Sequence, residues 1–443
     1  MLKTSLAAMA FACVLAIAAP AGALPLKDTA APLAFPAVTV KNLGPSRLLV
    51  AYNPGAALCG VQVFVRAGLD RQGRTQSGLA ALTAESILRN PVEGSTLQDR
   101  ITAAGGSITY AVEGQYTHFY VESAPAHMPQ LLRLLTNVFA APRFSPETVA
   151  AARDALGSRV DDLTHNPLAV GIATFKRSFY AASNAGLPEL GSRVSLAALT
   201  PADVEQFYKA TYRSGGALLT AVGDVPDELT PAAKELIAAL PAGTPAPAAS
   251  SGTTALDGTS KRLITHSAAH QTWLVFGFSA PPPGTRDFST MLVLEALLSK
   301  SLDPPAVITA QAEERRFGSL YLYDSTPAAF ALYANGLNVE PNAAINEINL
   351  TLAALSNLTF DQSAVHSLGA TAQGLFLTES VSLVDQAWMI GNFALQGLSP
   401  QYASDALADV RNVTPADLRR VANQYLKKYT LAIILPDNEH VEQ

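Results

Sequence analysis

Gln76–Leu88, QSGLAALTAESIL, is the stretch from which the rest of the chain can be read. Its alanines, leucines and a glutamate are good helix formers, and Gly78 stands where such a run begins. A helix of similar character surrounds Leu292, 213 positions after Leu79.

Other segments recur at almost the same distance. Leu199-Thr200-Pro201-Ala202-Asp203-Val204 returns as Val413-Thr414-Pro415-Ala416-Asp417-Leu418, at an offset of 214. VQVFVRAG from Val61 is matched by VFGFSA from Val275, again at 214, and Phe144-Ser145-Pro146-Glu147 by Phe360-Asp361-Gln362-Ser363 at 216. Four matches in one order at a nearly constant offset identify two copies of one domain. PAGTPAPAASSGTTALDGT, at 241–259, is too rich in Pro, Gly, Ser and Thr to build a core and reads as the linker. The copies are therefore set at 32–240 and 260–438.

The first residues, MLKTSLAAMAFACVLAIAAPAGALP, have one positive charge at Lys3, an apolar run from Leu6 to Ala19 and the small residues Ala21 and Ala23. This pattern predicts a secretory signal peptide at 1–23, cut after Ala23. The apolar run is short against the roughly 20 residues of a spanning helix. Removal leaves Cys59 as the single cysteine, so no internal disulfide can form, and LCGVQVFV reads as a buried strand. Losing Lys3 takes the formal charge from −6 to −7, which argues against nucleic acid as a partner. A periplasmic location is expected, with no membrane span after cleavage.

Within the first copy, Ser46–Tyr52 and Val61–Ala67 alternate as strands, and Thr96–Ala104 reads as a helix stopped at Gly105-Gly106. Ser107–Val112 and His118–Ser123 form a hairpin, followed by helices over His127–Phe139 and Ser145–Asp162. Ser145-Pro146, Thr200-Pro201 and Thr414-Pro415 share one device, a capping hydroxyl followed by proline in the first turn. The expected class is α+β: two homologous domains, each an antiparallel-rich sheet with helices on one face.

A strand ending in R-A-G, a G-L-A helix, a G-G hairpin, an F-S-P-E helix leading to N-P, and an L-T-P-A-D-V helix before a V-G-D strand together resemble the pitrilysin/insulinase family of zinc metallopeptidases, including its mitochondrial processing peptidase-like branch. The resemblance covers nearly the whole chain after residue 23 and implies a clam-shell of two domains. In that family the helix reads G-L-A-H-L-x-E-H. Gly78-Leu79-Ala80 sets the register, so the two histidine positions fall on Ala81 and Glu85 and the general-base glutamate on Ala84. Positions i and i+4 share a helix face and can both reach one zinc ion, while the carboxylate beside them takes a proton from metal-bound water. Alanine offers no donor, and no histidine occurs before His118. The third ligand position, upstream of Asn166-Pro167, holds Arg159, a cation that cannot bind zinc. No metal and no other cofactor is expected. Arg159 reads either as a solvated helix residue or as the partner of Glu85 at the place of the missing metal.

The family binds peptide as an added strand along its G-G hairpin. Gly105-Gly106-Ser107-Ile108-Thr109-Tyr110 matches that spacing, which makes Ser107 and Thr109 substrate-binding candidates. Tyr110, where alanine is usual, is expected to narrow the groove. In the second copy, EERRFGSLYLY aligns with the family's R-E-x-x-G-L-A-Y, which holds the substrate carbonyl. Tyr321 takes the tyrosine position. Glu314 stands at the arginine unless the alignment slips to Arg315 or Arg316, and Arg316 is kept as the candidate. Tyr321 reads equally as a half-buried strand residue. His266 and His270 are four apart on an expected strand, a spacing that spreads them over about 13 Å and argues against a metal pair.

The resemblance implies a non-catalytic subunit that pairs with an H-x-x-E-H-bearing homologue as a heterodimer and contributes contacts to a peptide substrate. The alternative is a catalytically silent scaffold or binding protein of the same fold.

Overall fold

The computed structural model describes residues 35–248, 260–267, 271–302, 316–323, 327–336, 341–355, 357, 359 and 361–436. The first copy contributes strands β1 (Val38–Asn42), β2 (Arg47–Tyr52) and β3 (Cys59–Val65), then helix α1 (Leu79–Leu88). A two-residue pair, β4 (Pro91–Val92) and β5 (Ser95–Thr96), leads into α2 (Leu97–Ala103) and the hairpin of β6 (Gly106–Val112) and β7 (Thr117–Ser123). Helices α3 (Met128–Ala140), α4 (Pro146–Thr164), α5 (Pro167–Phe179), α6 (Arg193–Ala198) and α7 (Pro201–Thr211) follow, then β8 (Leu218–Gly223) and α8 (Leu229–Ala239). The second copy runs β9 (Lys261–Ser267), β10 (Thr272–Ser279), α9 (Arg286–Leu302), β11 (Arg316–Leu322), β12 (Ala329–Gly336) and α10 (Pro341–Leu355). It closes with α11 (Gln362–Thr378), α12 (Leu383–Leu395), α13 (Tyr402–Asp409), α14 (Pro415–Tyr425) and β13 (Tyr429–Pro436).

The repeat read from the sequence is also a repeat of topology. The first sheet has the order β1-β2-β8-β3-β7-β6 and the second β11-β12-β10-β13-β9. Read from the other end, the second sheet repeats the first without its β1. Each contains one parallel pair, β2 with β8 and β13 with β9, among antiparallel neighbours. The α+β class and the expected helices hold, with ends shifted by a residue or two. Thr200 and Thr414 cap α7 and α14 in the same way. The Asp203 amide donates to the Thr200 hydroxyl at 3.3 Å and the Asp417 amide to that of Thr414 at 3.2 Å.

All seven residues of β3 are buried, because both faces of its sheet are covered. The helices of the first copy other than α5 pack on one face. The other face receives α12 from the second copy, through Ala387, Ile390 and Ala394 against Leu49, Phe64, Leu218 and Val222. The exchange is reciprocal: α5 of the first copy lies on the second sheet, with Phe175 and Phe179 against Val275, Ala331, Ala432 and Ile434. Glycines permit the close approach. A Cβ on Gly391 of α12 would lie 2.2 Å from Phe64, and one on Gly277 of β10 would lie 2.0 Å from Phe175.

Polar ties accompany the apolar ones. Gln62 Nε2 donates to the Val384 carbonyl and the Thr220 hydroxyl to that of Ala387, each at 2.9 Å, so the first turns of α12 are read by side chains of the first sheet. Phe35 joins the core of the second copy against Phe376. Residues from Phe35 onward consequently form one compact unit. The start of the linker stays with the first copy: Gly215 donates to the Gly243 carbonyl and Ala246 to that of Ala210, both at 3.0 Å. Residues 249–259 lie outside the described residues.

Candidate functional site

Helix α1 is held at its start by a left-handed glycine. Gly78 has φ 91°, and a Cβ there would meet the Leu190 carbonyl oxygen at 2.8 Å, so chain 188–191 packs directly against it. The Ala80 amide donates to Gln72 Oε1 at 3.1 Å, satisfying a donor of the open first turn. All ten residues of α1 are buried, including Ala81 and Ala84, which are fully enclosed, and Glu85 at 5% exposure.

A buried carboxylate has to be compensated, and three side chains from three elements do so here. Arg89, one turn along α1, donates Nε to Glu85 Oε1 at 2.8 Å. Tyr110 of β6 donates its hydroxyl to Glu85 Oε2 at 3.0 Å. Arg159 of α4 donates Nη1 to the Tyr110 oxygen at 2.9 Å, and the same nitrogen stands 3.7 Å from Glu85 Oε2. The Arg159 guanidinium also lies over the tyrosine ring, 5.2 Å from its centroid. Burial, and then the negative charge of Glu85, push the Tyr110 phenol above its ordinary range, with Arg159 opposing. Tyr110 therefore stays a proton donor.

Glu85 and Arg159 thus meet, with Tyr110 between them. Donors about 2.1 Å from a tetrahedral zinc stand about 3.4 Å apart, and the three polar atoms here are separated by 2.9, 3.0 and 3.7 Å. These residues do not fit zinc: Ala81 and Ala84 carry no donor, Arg159 is a cation, and Glu85 is engaged by two arginines and a phenol. Among the described residues, no group of three or more His, Cys, Asp or Glu could hold a metal.

Strand β6 is one edge of the first sheet. Ser107 and Thr109 are exposed along it, while Ile108, Tyr110 and Val112 are buried, the period-two alternation of a half-covered strand. The expectation that Tyr110 narrows a groove at this edge is corrected: its ring is 8% exposed and reaches inward to α1. The sequence reading missed that role because it placed Tyr110 in a groove. The alternation of apolar and polar residues along β6 was the available signal.

Tyr321 sits elsewhere. It is buried in the second core against Phe288, Tyr323 and Phe330, and its hydroxyl donates to the Pro281 carbonyl. Its phenol is raised well above the ordinary range by burial first. Arg316 opens β11, and Glu314 and Arg315 lie outside the described residues. His266 is exposed near the end of β9, and His270 lies outside the described residues. Cys59 is fully buried, and burial pushes its thiol up to about 12.

Residues 47–190 match the model described as Insulinase (Peptidase family M16), and residues 198–367 match the Peptidase M16 inactive domain. Uncharacterized zinc proteases of Mycobacterium tuberculosis and Mycobacterium bovis are 23% identical over 279 residues, which is 62% of this chain and 63% of theirs. The chain thus spans under two thirds of the length of those relatives. Among solved structures, a protease from Helicobacter pylori aligns with a TM-score of 0.78 at 17% identity, covering 91% of this chain and all of that one. A peptidase M16 inactive domain from Pseudomonas fluorescens aligns at 0.75 and 16%, covering 90% and 98%. A chain of Complex III2 from Candida albicans aligns at 0.72 and 13%, covering 90% and 95%. These likenesses share the fold, and together with the family models they place the chain in the insulinase (M16) peptidase family, its second half matching that family's inactive domain.

Proposed function

We propose that this chain is the non-catalytic subunit of an exported insulinase-type peptidase, working in the processing-peptidase manner beside a homologue that carries H-x-x-E-H. The observation that supports this reading is the bridge of Glu85, Tyr110 and Arg159, which fills the metal position with a satisfied polar network. A site that had merely lost its ligands would leave a cavity or an uncompensated Glu85. Instead the helix, the hairpin edge and α4 keep the arrangement of the fold while the chemistry is absent. Strand β6, with Ser107 and Thr109 outward, is the surface at which a peptide would add as a further strand.

The test is reconstitution in the periplasmic fraction of the source organism. The purified chain alone is expected to show no chelator-sensitive cleavage of a fluorogenic peptide library. An H-x-x-E-H homologue that co-elutes with it should cleave at least tenfold faster on mixing. Chelator-sensitive cleavage by the single chain would refute the reading.

A second reading, a catalytically silent scaffold, is favoured by one observation: the Tyr321 hydroxyl is bonded inside the second core. The chain of Complex III2 shows this fold present in an assembly. Co-elution with no change in the homologue's rate would select this reading.

A further inference from the structure

Beyond the degenerate helix, a second concavity has its own chemistry. A cavity of about 290 Å³ lies between Arg74 and the end of α5 with the loop that follows it. Its walls are Arg74, Arg177, Tyr180, Leu187 and Pro188, with Ala181, Ser183 and Gly186 completing it. No acidic side chain among the described residues lines it. The one carboxylate on this loop, Glu189, is bonded to Lys176 at 2.6 Å. Arg74 donates Nη2 to the Ala181 carbonyl at 3.2 Å, which fixes its guanidinium at the rim. Arg177 meets no acceptor among the described residues. Tyr180 is fully buried beneath the cavity, and its hydroxyl donates to the Pro327 carbonyl at 2.8 Å.

Two exposed guanidiniums line one concavity, with no counter-ion among the described residues. An arginine on the last turn of α5 is already favoured by the helix dipole. That explains Arg177 by itself, but not the presence of Arg74 in the same lining. Guanidiniums match carboxylates in geometry and charge, and Leu187 and Pro188 suit an apolar group beside that carboxylate. The geometry points to a binding site for the free C-terminal carboxylate of a peptide ending in an apolar residue, held between Arg74 and Arg177. This site is independent of the non-catalytic reading and survives its failure.

The test uses the full chain without residues 1–23 and three probes followed by NMR or calorimetric titration: N-acetyl-Ala-Leu as the free acid, the same dipeptide as its amide, and inorganic phosphate. The free acid is expected to bind saturably and at least tenfold more tightly than the other two. Arg177→Gln and Arg74→Gln should each weaken it by about tenfold, the scale of one charge-assisted hydrogen bond, and Arg177→Lys by less. Should Arg177→Gln fail to fold, Arg74→Gln alone carries the test. Equal binding of acid and amide overturns the proposal. Phosphate binding as tightly as the acid overturns the peptide assignment and leaves a general anion site. Undiminished binding of the acid to both arginine variants also overturns it, as does no saturation by 50 mM, an upper limit of roughly 2 kcal/mol of affinity.

Discussion

If the Glu85 network stands where the family holds zinc, restoring the donors should restore metal binding. The perturbation is the combined variant Ala81→His, Ala84→Glu, Glu85→His, Arg159→Glu, with Tyr110→Ala to remove the ring that bridges the gap. The structure sets the expected geometry at one pair: Glu85 and Arg159 side chains approach to 3.7 Å, near the roughly 3.4 Å between ligands of a tetrahedral zinc. Before metal is added, the variant should be a few kcal/mol less stable, having lost a buried, charge-assisted network. A three-ligand site with a dissociation constant on the order of 1 μM would gain about 2.7 kcal/mol at 100 μM zinc. For one compact unfolding unit of roughly 400 residues this is a rise of about 3 °C in the melting temperature. The assay is cobalt titration read by visible absorption, with the zinc-dependent melting temperature in parallel. A variant with unchanged far-UV circular dichroism that took up neither ion would refute the claim that these elements preserve a metal site's geometry.

Tyr110→Phe should cost about 1–3 kcal/mol in urea unfolding without changing the slope, because Glu85 Oε2 is left with Arg159 at 3.7 Å; a loss below about 0.5 kcal/mol would count against the network. Gly391→Ala should cost about 1–3 kcal/mol by overpacking Phe64. Gly374→Ala, in α11 with nothing near the added methyl, should instead leave stability unchanged or raised by up to about 1 kcal/mol. Asp70 is pushed up to about 6 by burial, against the pull of Arg71 and Arg66. A carboxyl raised on folding contributes stability that is full below its ordinary pKa of 3.8 and is lost as pH rises through 6. Asp70→Asn should therefore flatten the pH dependence of unfolding between about pH 4 and 6, and an unaltered dependence would refute the assignment.

Much of this was legible in the chain because it is local or repeated. Proline after a capping hydroxyl marks helix starts whatever lies around them, and a nearly constant offset survives divergence of individual residues. The vacancy at Ala81 and Ala84 was equally plain, since alanine carries no donor in any fold. What the sequence could not show was long-range partnership. Tyr110 lies 25 positions from Glu85 and Arg159 a further 49 beyond it, on three elements whose approach depends on packing. The crossing of α5 and α12 was hidden for a similar reason. β3 does carry the signature of a strand covered on both sides, an unbroken buried run, but nothing local says that the second cover comes from the other copy.

That crossing has a consequence for how the two copies recognise each other. Counted from their caps at Asn166 and Ser382, Phe175 of α5 and Gly391 of α12 occupy the same helical position. Phe175 fills the space that Gly277 leaves open, and Gly391 gives way to Phe64. On the faces these helices cover, Gln62 and Phe64 of β3 correspond to Val275 and Gly277 of β10, one residue out of step with the sequence match. Pairing two first copies would therefore bring Phe175 against Phe64, two rings competing for one place. Pairing two second copies would set Gly391 against Gly277 and leave a hole. Duplication produced two similar surfaces, and the exchange of one ring for one hydrogen made them male and female, so that each copy can be completed only by the other.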